Sequence, residues 1–288
     1  MERASGMDNK TVLITGGTSG IGKATAVAVA AMGARVVVTG RNPERGKIAV
    51  EEIKKASGNE SVELMLADLS VQAEVRRLAE EFLESHDRLD VLINNAGIVA
   101  SKRTETPDGL ETTFATNHLA PFLLTNLLLD KLKESVPARI VTVSSEAQRW
   151  GKMDLDDLQS KRKYGGMAVY GMTKLANAMF TRSLASRLSG TGVTANCMHP
   201  GAVNTNFGGN NTGPLTLLFR LFKPFMRSPE QGAETLIWLA SDPAVEGVTG
   251  KYFADRKEIS PSKLANDPVA LERLWTQSAE LTNFQVTA

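Results

Sequence analysis

Short apolar, β-rich runs alternate with helical stretches along nearly the whole chain, and this alternation constrains the fold more than any other feature. The runs are 11–15 (TVLIT), 35–39 (RVVVT), 62–67, 89–93 (LDVLI), 138–144 (ARIVTVS), 192–198 and 250–253. Between and after them, 20–32, 43–56, 71–83, 110–133, 167–188, 229–240 and 269–281 read as helices. Strands in such strict alternation with helices imply parallel pairing, with helices covering both faces of one sheet. The expected fold is a single doubly wound α/β domain over 10–284, with a seven-stranded parallel sheet flanked by helices. Pro121 inside 110–133 predicts a kink or local break, because proline lacks the N–H that the helix needs. No repeat, low-complexity tract or linker interrupts the pattern, and 288 residues suffice for one large core.

Charge and cysteine content narrow the function. A formal net charge of +1 gives no electrostatic reason to expect nucleic acid or an acidic membrane as partner. Cys197 is the only cysteine, which excludes an internal disulfide and a thiolate metal cluster. It lies in an apolar strand and reads as packing. His86, His118 and His199 lack metal-site spacing and read as structural or solvated, so no metal is expected. No run is long and apolar enough for a membrane anchor. A cytoplasmic enzyme is the expectation.

The first strand–helix junction carries Thr15-Gly16-Gly17-Thr18-Ser19-Gly20-Ile21-Gly22. Glycines here let the backbone turn and approach a pyrophosphate, while the helix N-terminus offers unpaired N–H groups to it. The spacing is G-x-x-x-G-x-G, distinct from the common dinucleotide fingerprint. The second strand ends at Thr39-Gly40-Arg41, with no acidic residue to bind a ribose 2′-hydroxyl. The Arg41 guanidinium suits a 2′-phosphate instead, so NADP(H) is the expected cofactor. Asp68 after the third strand either accepts from an adenine amino group or caps the next helix beside Ser70. Asn94-Asn95-Ala96-Gly97 either lets a cofactor come close or forms a plain turn.

Tyr170 and Lys174 lie four apart on a predicted helix and therefore share a face. An ammonium beside a phenol favours the phenolate, which makes the tyrosine a usable acid and base near neutral pH. Ser144 and Ser145 end the fifth strand, at the sheet edge where ligands bind in open α/β folds. A hydroxyl there either stabilises charge on a substrate carbonyl or caps a loop. Asn117 sits inside a predicted helix that it does little to stabilise, so either its side chain has a task or it is exposed. His199-Pro200-Gly201 opens a loop toward Thr205, whose hydroxyl can bond a nicotinamide amide.

Together these motifs, in this order, resemble the short-chain dehydrogenase/reductase superfamily over roughly 10–284. The resemblance implies a Rossmann fold. It implies proton transfer by Tyr170, with Lys174 lowering its pKa and holding the nicotinamide ribose. It implies carbonyl polarisation by Ser145, the second serine of its pair, and a relay water fixed by Asn117. Cofactor contacts are implied at Gly16, Thr18, Ser19, Gly20, Ile21, Gly22, Arg41, Asp68, Leu69, Asn95, Ala96, Gly97, Tyr170, Lys174, Pro200, Gly201, Val203 and Thr205. The 25 residues from Ser145 to Tyr170 exceed the family's usual gap, and 150–166 is expected to be an insertion near the pocket rim. That gap, with 154–160 (DLDDLQS), 170–177 (YGMTKLAN), 250–253 (GKYF) and 271–281, is similar to the retinol dehydrogenase branch. The WW-domain oxidoreductase and light-dependent protochlorophyllide reductase branches are near relatives. The membrane-bound retinol enzymes carry an N-terminal anchor not seen here, and the pigment reductases use cysteines for which Cys197 alone is a poor substitute. A soluble carbonyl reductase or alcohol dehydrogenase is therefore expected. Family members often pair through their long helices, which leaves a homo-oligomer open.

The stretch 205–227 is rich in Phe, Leu and Met and follows Gly208-Gly209-Asn210-Asn211. In the family this region forms a flap over the substrate, and its apolar content implies a hydrophobic carbonyl or alcohol. A core helix, or one lying on a membrane or partner, are the alternatives. Two other functions stay open: a nucleotide-sensing binding protein on the same fold, and a nucleotide-sugar epimerase or dehydratase. The complete Ser–Tyr–Lys set speaks against the first, and the glycine spacing and apolar flap against the second.

Overall fold

Val12 and Ile14 face one side of the first strand and Leu13 the other, and all three are fully buried. Such a strand needs cover on both faces, and the computed structural model supplies it. The structure describes residues 6–204 and 226–285. Thr205 and the expected substrate flap, apart from Met226 and Arg227, lie outside the described residues. The strands are β1 (Thr11–Ile14), β2 (Arg35–Gly40), β3 (Val62–Leu66), β4 (Val91–Asn94), β5 (Ala138–Val143), β6 (Val193–Met198), β7 (Tyr252–Ala254) and β8 (Lys257–Glu258). They form one sheet in the order β3-β2-β1-β4-β5-β6-β7-β8.

The first seven strands are parallel, as expected; the eighth is an addition, antiparallel to β7. Asp255 and Arg256 turn the chain back with φ of 50° and 58°. Two-residue hairpin turns of this kind ordinarily announce themselves with glycine, and none stands here. The order reverses between β1 and β4, which opens a crevice beyond their carboxyl ends.

The helices are α1 (Gly20–Ala31), α2 (Pro43–Ser57), α3 (Gln72–Ser85), α4 (Thr112–Phe114), α5 (Ala120–Leu127), α6 (Leu129–Glu134), α7 (Gly166–Arg187), α8 (Pro229–Ser241) and α9 (Pro268–Leu281). Val36, Val38, Val91 and Ile93 pack with Val29 of α1, Ile53 of α2 and Leu236 of α8. Val37, Leu92 and Ile140 pack on the opposite layer with Phe82 of α3, Phe122 of α5 and Phe180 of α7. Each such side chain contributes about 1.5–3 kcal/mol when fully buried. A third cluster, with Phe114, Leu158, Met172, Tyr252 and Leu274, closes the end of the molecule around α7. Cys197 is buried within it, which agrees with a packing role.

The kink or local break expected at Pro121 is a widened turn. Ala115–Leu119 is π-helical, directly before Pro121 in the first turn of α5, and a second break falls at Leu128. Proline cannot donate to the carbonyl of Asn117, four residues back, so the backbone widens there. The helix also starts at Thr112, later than the expected 110, where the Glu111 carboxylate accepts from the N–H groups of Thr113 and Phe114.

Candidate active site

The glycine-rich junction is a cradle made of backbone. Gly16 and Gly20 adopt φ of 65° and 54°, where a side chain is strained. A Cβ on Gly22 would lie 2.4 Å from the Gly16 carbonyl oxygen and 2.5 Å from Asn95 Nδ2. Asn95 Nδ2 donates to the carbonyls of Thr15 and Gly16 at 2.8 and 3.2 Å, and the Thr15 hydroxyl accepts from the N–H groups of Asn95 and Ala96. Thus Asn95 and Ala96, expected as cofactor contacts, also clamp the loop. Ser19 precedes α1 without capping it, and the helix opens with Gly20, Ile21 and Gly22, which leaves N–H groups free for an anion. The residues fit a pyrophosphate: the backbone can approach it, and the dipole of a 12-residue helix faces it.

Thr18 leads from this loop to the adenosine side, where a Cβ on Gly40 would meet its methyl at 2.8 Å. The Arg41 side chain is 63% exposed, and its guanidinium stands 4.0 Å from an Asp68 oxygen. Asp68 accepts from the backbone N–H and hydroxyl of Ser70 at 2.9 and 2.7 Å, closing a turn before α3; it does not cap that helix, whose Gln72 N–H donates to Asp108 instead. Its second oxygen faces Arg41. Leu69 turns its side chain into the core, which leaves only its backbone to face a ligand.

At the reacting end, Asn117 lies within the π-helical segment and is fully buried, not exposed. Its Oδ1 accepts from the Ile98 N–H at 2.7 Å, and its Nδ2 donates to the Ile98 carbonyl and the Thr173 hydroxyl at 2.9 and 3.1 Å. A Cβ on Gly97 would meet both Asn117 Oδ1 and Lys174 Nζ at 3.4 Å. Gly97 therefore lies in contact range of both groups. Lys174 is buried and donates to the Val143 carbonyl at 2.9 Å. The two serines divide their tasks. Ser144 is buried and donates to the Lys174 carbonyl at 2.7 Å, fixing α7 against β5. Ser145 is half-buried, caps a short 3-10 turn through the Ala147 N–H and hydrogen-bonds the Tyr170 phenol.

Burial dominates the electrostatics here. It raises the Tyr170 phenol above its ordinary value, and the hydrogen bond with Ser145 opposes that rise. The lowering by Lys174 expected from spacing is therefore not the ruling effect. The ammonium lies 5.7 Å from the phenol ring centroid and is committed to Val143. Burial pushes Lys174 itself down to about 8. It drives the Cys197 thiol up to about 12, so that sulfur is inert.

Pro200, Gly201 and Val203 follow the carboxyl end of β6, and a Cβ on Gly232 would touch both Val203 and Ile21 of the glycine-rich junction. Gly201 has φ of 75°, and Arg227 packs its guanidinium against it while pairing with Asp255. Val203 and Arg227 form a parallel bridge. The expected insertion 150–166 is docked on the rest of the chain. Gln159 accepts from Arg103 and from the Glu111 N–H, Gln277 of α9 donates to the Leu155 carbonyl, and Leu158 is buried. Trp150 lies over Gly171, where a Cβ would meet its ring at 2.7 Å.

Three contributors escaped the sequence reading. Tyr252 of β7 donates to the Ser145 carbonyl at 3.1 Å. His118 and Asn177 form buried hydrogen bonds behind Lys174. Their neighbour in sequence, the stretch 170–177, was informative only as a pattern; their partners lie 59 to 160 residues away or on another strand. His199, read as structural or solvated, contacts Glu146 at 2.9 Å and accepts from the Gly201 N–H at 3.2 Å.

A family model described as short chain dehydrogenase matches residues 10–214. The chain is 46% identical over 276 residues to retinol dehydrogenase 12 of Mus musculus, covering 96% of this chain and 87% of that one. It is 44% identical over 285 residues to retinol dehydrogenase 14 of Homo sapiens, covering 93% and 85%. Among solved structures, an uncharacterized protein from Mycobacterium paratuberculosis superposes with a TM-score of 0.80 at 32% identity, covering 98% and 97%. The NADP active-site complex of RhlG from Pseudomonas aeruginosa gives a TM-score of 0.70 at 28% identity, covering 88% and 97%.

Proposed function

The chain belongs to the short-chain dehydrogenase family, in its retinol dehydrogenase-like branch, and we propose that it interconverts an aldehyde or ketone and an alcohol on a hydrophobic substrate with NADP(H). It is an oxidoreductase of a family that uses nicotinamide cofactors and small alcohol or carbonyl substrates. The observation that carries the finer reading is the meeting of Asn117, Ser145, Tyr170 and Lys174 at the carboxyl edge of the sheet, beside the uncapped start of α1.

The cofactor, when bound, supplies or accepts the hydride. The residues of the chain do the rest. Gly16, Thr18 and Ser19 to Gly22 hold the pyrophosphate, and Arg41 meets the 2′-phosphate. Lys174 turns part of its ammonium toward the ribose while keeping Val143. Ser145 donates to the substrate oxygen and holds it beside Tyr170. Tyr170 gives its proton to that oxygen during reduction and takes it back during oxidation. A phenol raised by burial is a proton donor at rest, and a carbonyl oxygen gaining charge is what draws the proton from it. Asn117, held at both ends by Ile98, can keep a water between Lys174 and solvent to resupply the proton.

We propose further that the apolar stretch 205–227 covers the substrate and that the protein works in the cytoplasm. Among the described residues, no helix is long and apolar enough to cross a membrane. The decisive experiment follows NADPH absorbance over retinal, alkyl and aryl aldehydes, ketones and quinones. Oxidation with apolar carbonyls is the expected result. Cofactor binding with no turnover on any of them would favour a nucleotide-sensing protein instead.

A further inference from the structure

Behind the reacting lysine, four buried polar side chains run in a line to the C-terminal helix. Lys174, Asn177, His118 and Ser278 are each no more than 3% exposed. Burying that much polarity is costly unless each group is bonded, and each is. Lys174 Nζ and Asn177 Nδ2 both donate to the Val143 carbonyl, at 2.9 and 3.4 Å. Asn177 Oδ1 lies 3.4 Å from His118 Nδ1, and His118 Nε2 lies 2.9 Å from Ser278 Oγ.

The direction of these bonds follows from what each atom can do. An amide oxygen only accepts, so the contact with Asn177 requires the proton on His118 Nδ1. Nε2 then carries a lone pair and takes the hydroxyl proton of Ser278. That hydroxyl is also 2.7 Å from the Leu274 carbonyl, which it serves only when not serving the imidazole. Every donor therefore points one way, from Ser278 to His118 to Asn177 to Val143, and bonds aligned like this polarise one another. The opposite Asn177 orientation would set its oxygen against the Val143 oxygen and push that carbonyl away from Lys174. Phe114, Phe122 and Phe180 surround the imidazole, with ring centroids 5.2 to 6.5 Å away. Burial holds it down to about 4, so it stays neutral and passes one hydrogen bond in one direction.

We propose that His118 is a positioning residue: with Ser278 of α9 it fixes the Asn177 amide, and through the shared Val143 carbonyl it sets the place and proton affinity of Lys174. The proposal rests on the reading of Lys174 as the cofactor-holding lysine. It makes the seating of α9 a determinant of the site, although α9 brings no side chain to the reacting atoms.

The test uses the full chain without cofactor and reads nuclear magnetic resonance signals of the imidazole nitrogens and the Lys174 ammonium. The Nδ1–H tautomer is expected for His118; the Nε2–H tautomer would overturn the chain. Ser278→Ala should raise the Lys174 titration by about half a pH unit, the scale of one hydrogen bond's net worth. Without the polarising chain, Val143 gives more of its lone-pair density to the ammonium. Ser278→Thr keeps the hydroxyl and should restore the wild-type value. A Lys174 titration that ignores Ser278→Ala, or moves equally in both variants, defeats the proposal. In parallel, Ser278→Ala should lower kcat about fivefold at temperatures where it is folded, with its pH profile displaced. A role in packing alone would lower the melting temperature and leave the titration and profile in place. If the wild type transfers no hydride to any carbonyl, the functional reading fails, while the resonance measurements still decide the chain.

Discussion

The two ends of the crevice are made of different material. At the phosphate end the working groups are backbone N–H groups, held open by glycines and by one asparagine that ties the loop to β4. At the reacting end they are side chains: Asn117 and Lys174 are withdrawn from water and bonded to the backbone of neighbouring elements, while Ser145 and Tyr170 are half-buried and hydrogen-bonded to each other. Backbone dipoles do not titrate, so the first end should tolerate pH and fail through shape. Desolvated phenol, amine and imidazole do titrate, so the second should fail through charge and proton position.

The sharpest way to break the contrast is Tyr170→Phe, which removes one oxygen and no volume. Turnover should fall by about three orders of magnitude, the middle of the range for general acid–base catalysis. The NADPH dissociation constant should change by less than about threefold, because the phosphate end is untouched. Residual turnover near the wild-type rate would take the proton from Tyr170 and give it to another group.

Acidification offers the next largest effect. His118 titrates at about 4 in the fold and at 6.5 when unfolded. Between those values the unfolded chain binds the extra proton, so stability falls as pH drops from 6.5 toward 4. The loss is about 3 kcal/mol at one pKa unit per 1.4 kcal/mol. His199 is also lowered by burial and acts in the same direction. Asp90 differs: its pKa is depressed by bonds from Arg88, Thr11 and Lys10 against the cost of burial, so its share disappears only below 3.8. Urea unfolding between pH 7 and 4 should therefore show a falling midpoint, and His118→Gln a shallower fall. A flat wild-type profile over that window would contradict the buried neutral imidazole.

Shape at the phosphate end is probed by Gly22→Ala. Its methyl would meet the Gly16 carbonyl and Asn95 at contact distances no real side chain keeps. Overpacking of this sort costs about 1–3 kcal/mol, seen as a lower melting temperature and weaker NADPH binding. The pH profile of kcat should keep its shape. The smallest effect belongs to the exposed Arg41. Arg41→Asp should move the NADP-to-NAD preference by about tenfold, or 1.4 kcal/mol, in competition binding. An unchanged preference would remove the 2′-phosphate from Arg41.

The same contrast explains what could be read in the chain beforehand. Val36 to Val38 and Val12 to Ile14 announce buried parallel strands by composition, and the glycine run announces the cradle by spacing. Tyr170, Lys174 and Ser145 stand in recognisable order. The choice of Ser145 has a visible reason, since Ser144 is spent on the Lys174 carbonyl. What escaped depends on distant partners. His118 shows nothing on its own turn that points to Ser278, 160 residues later. The β7–β8 hairpin lacks the glycine that marks such turns, and the polar 150–166 insertion gives no sign in sequence that Leu158 is buried. Spacing reveals neighbours and not solvent, so the lysine beside the phenol is legible in the sequence while the burial that raises the phenol is not.

The π-helical segment at Ala115–Leu119 decides where Asn117 is aimed as well as the shape of the helix. Each residue of an α-helix turns the axis by about 100° and advances it about 1.5 Å. A π turn is in effect one extra residue accommodated without lengthening the helix. Excising one residue there would restore regular pitch with the flanking turns left in place, but the widened turn that aims Asn117 at Ile98 and Thr173 would be lost. A single-residue deletion here should therefore leave a regular helix that no longer presents the Asn117 amide to its partners.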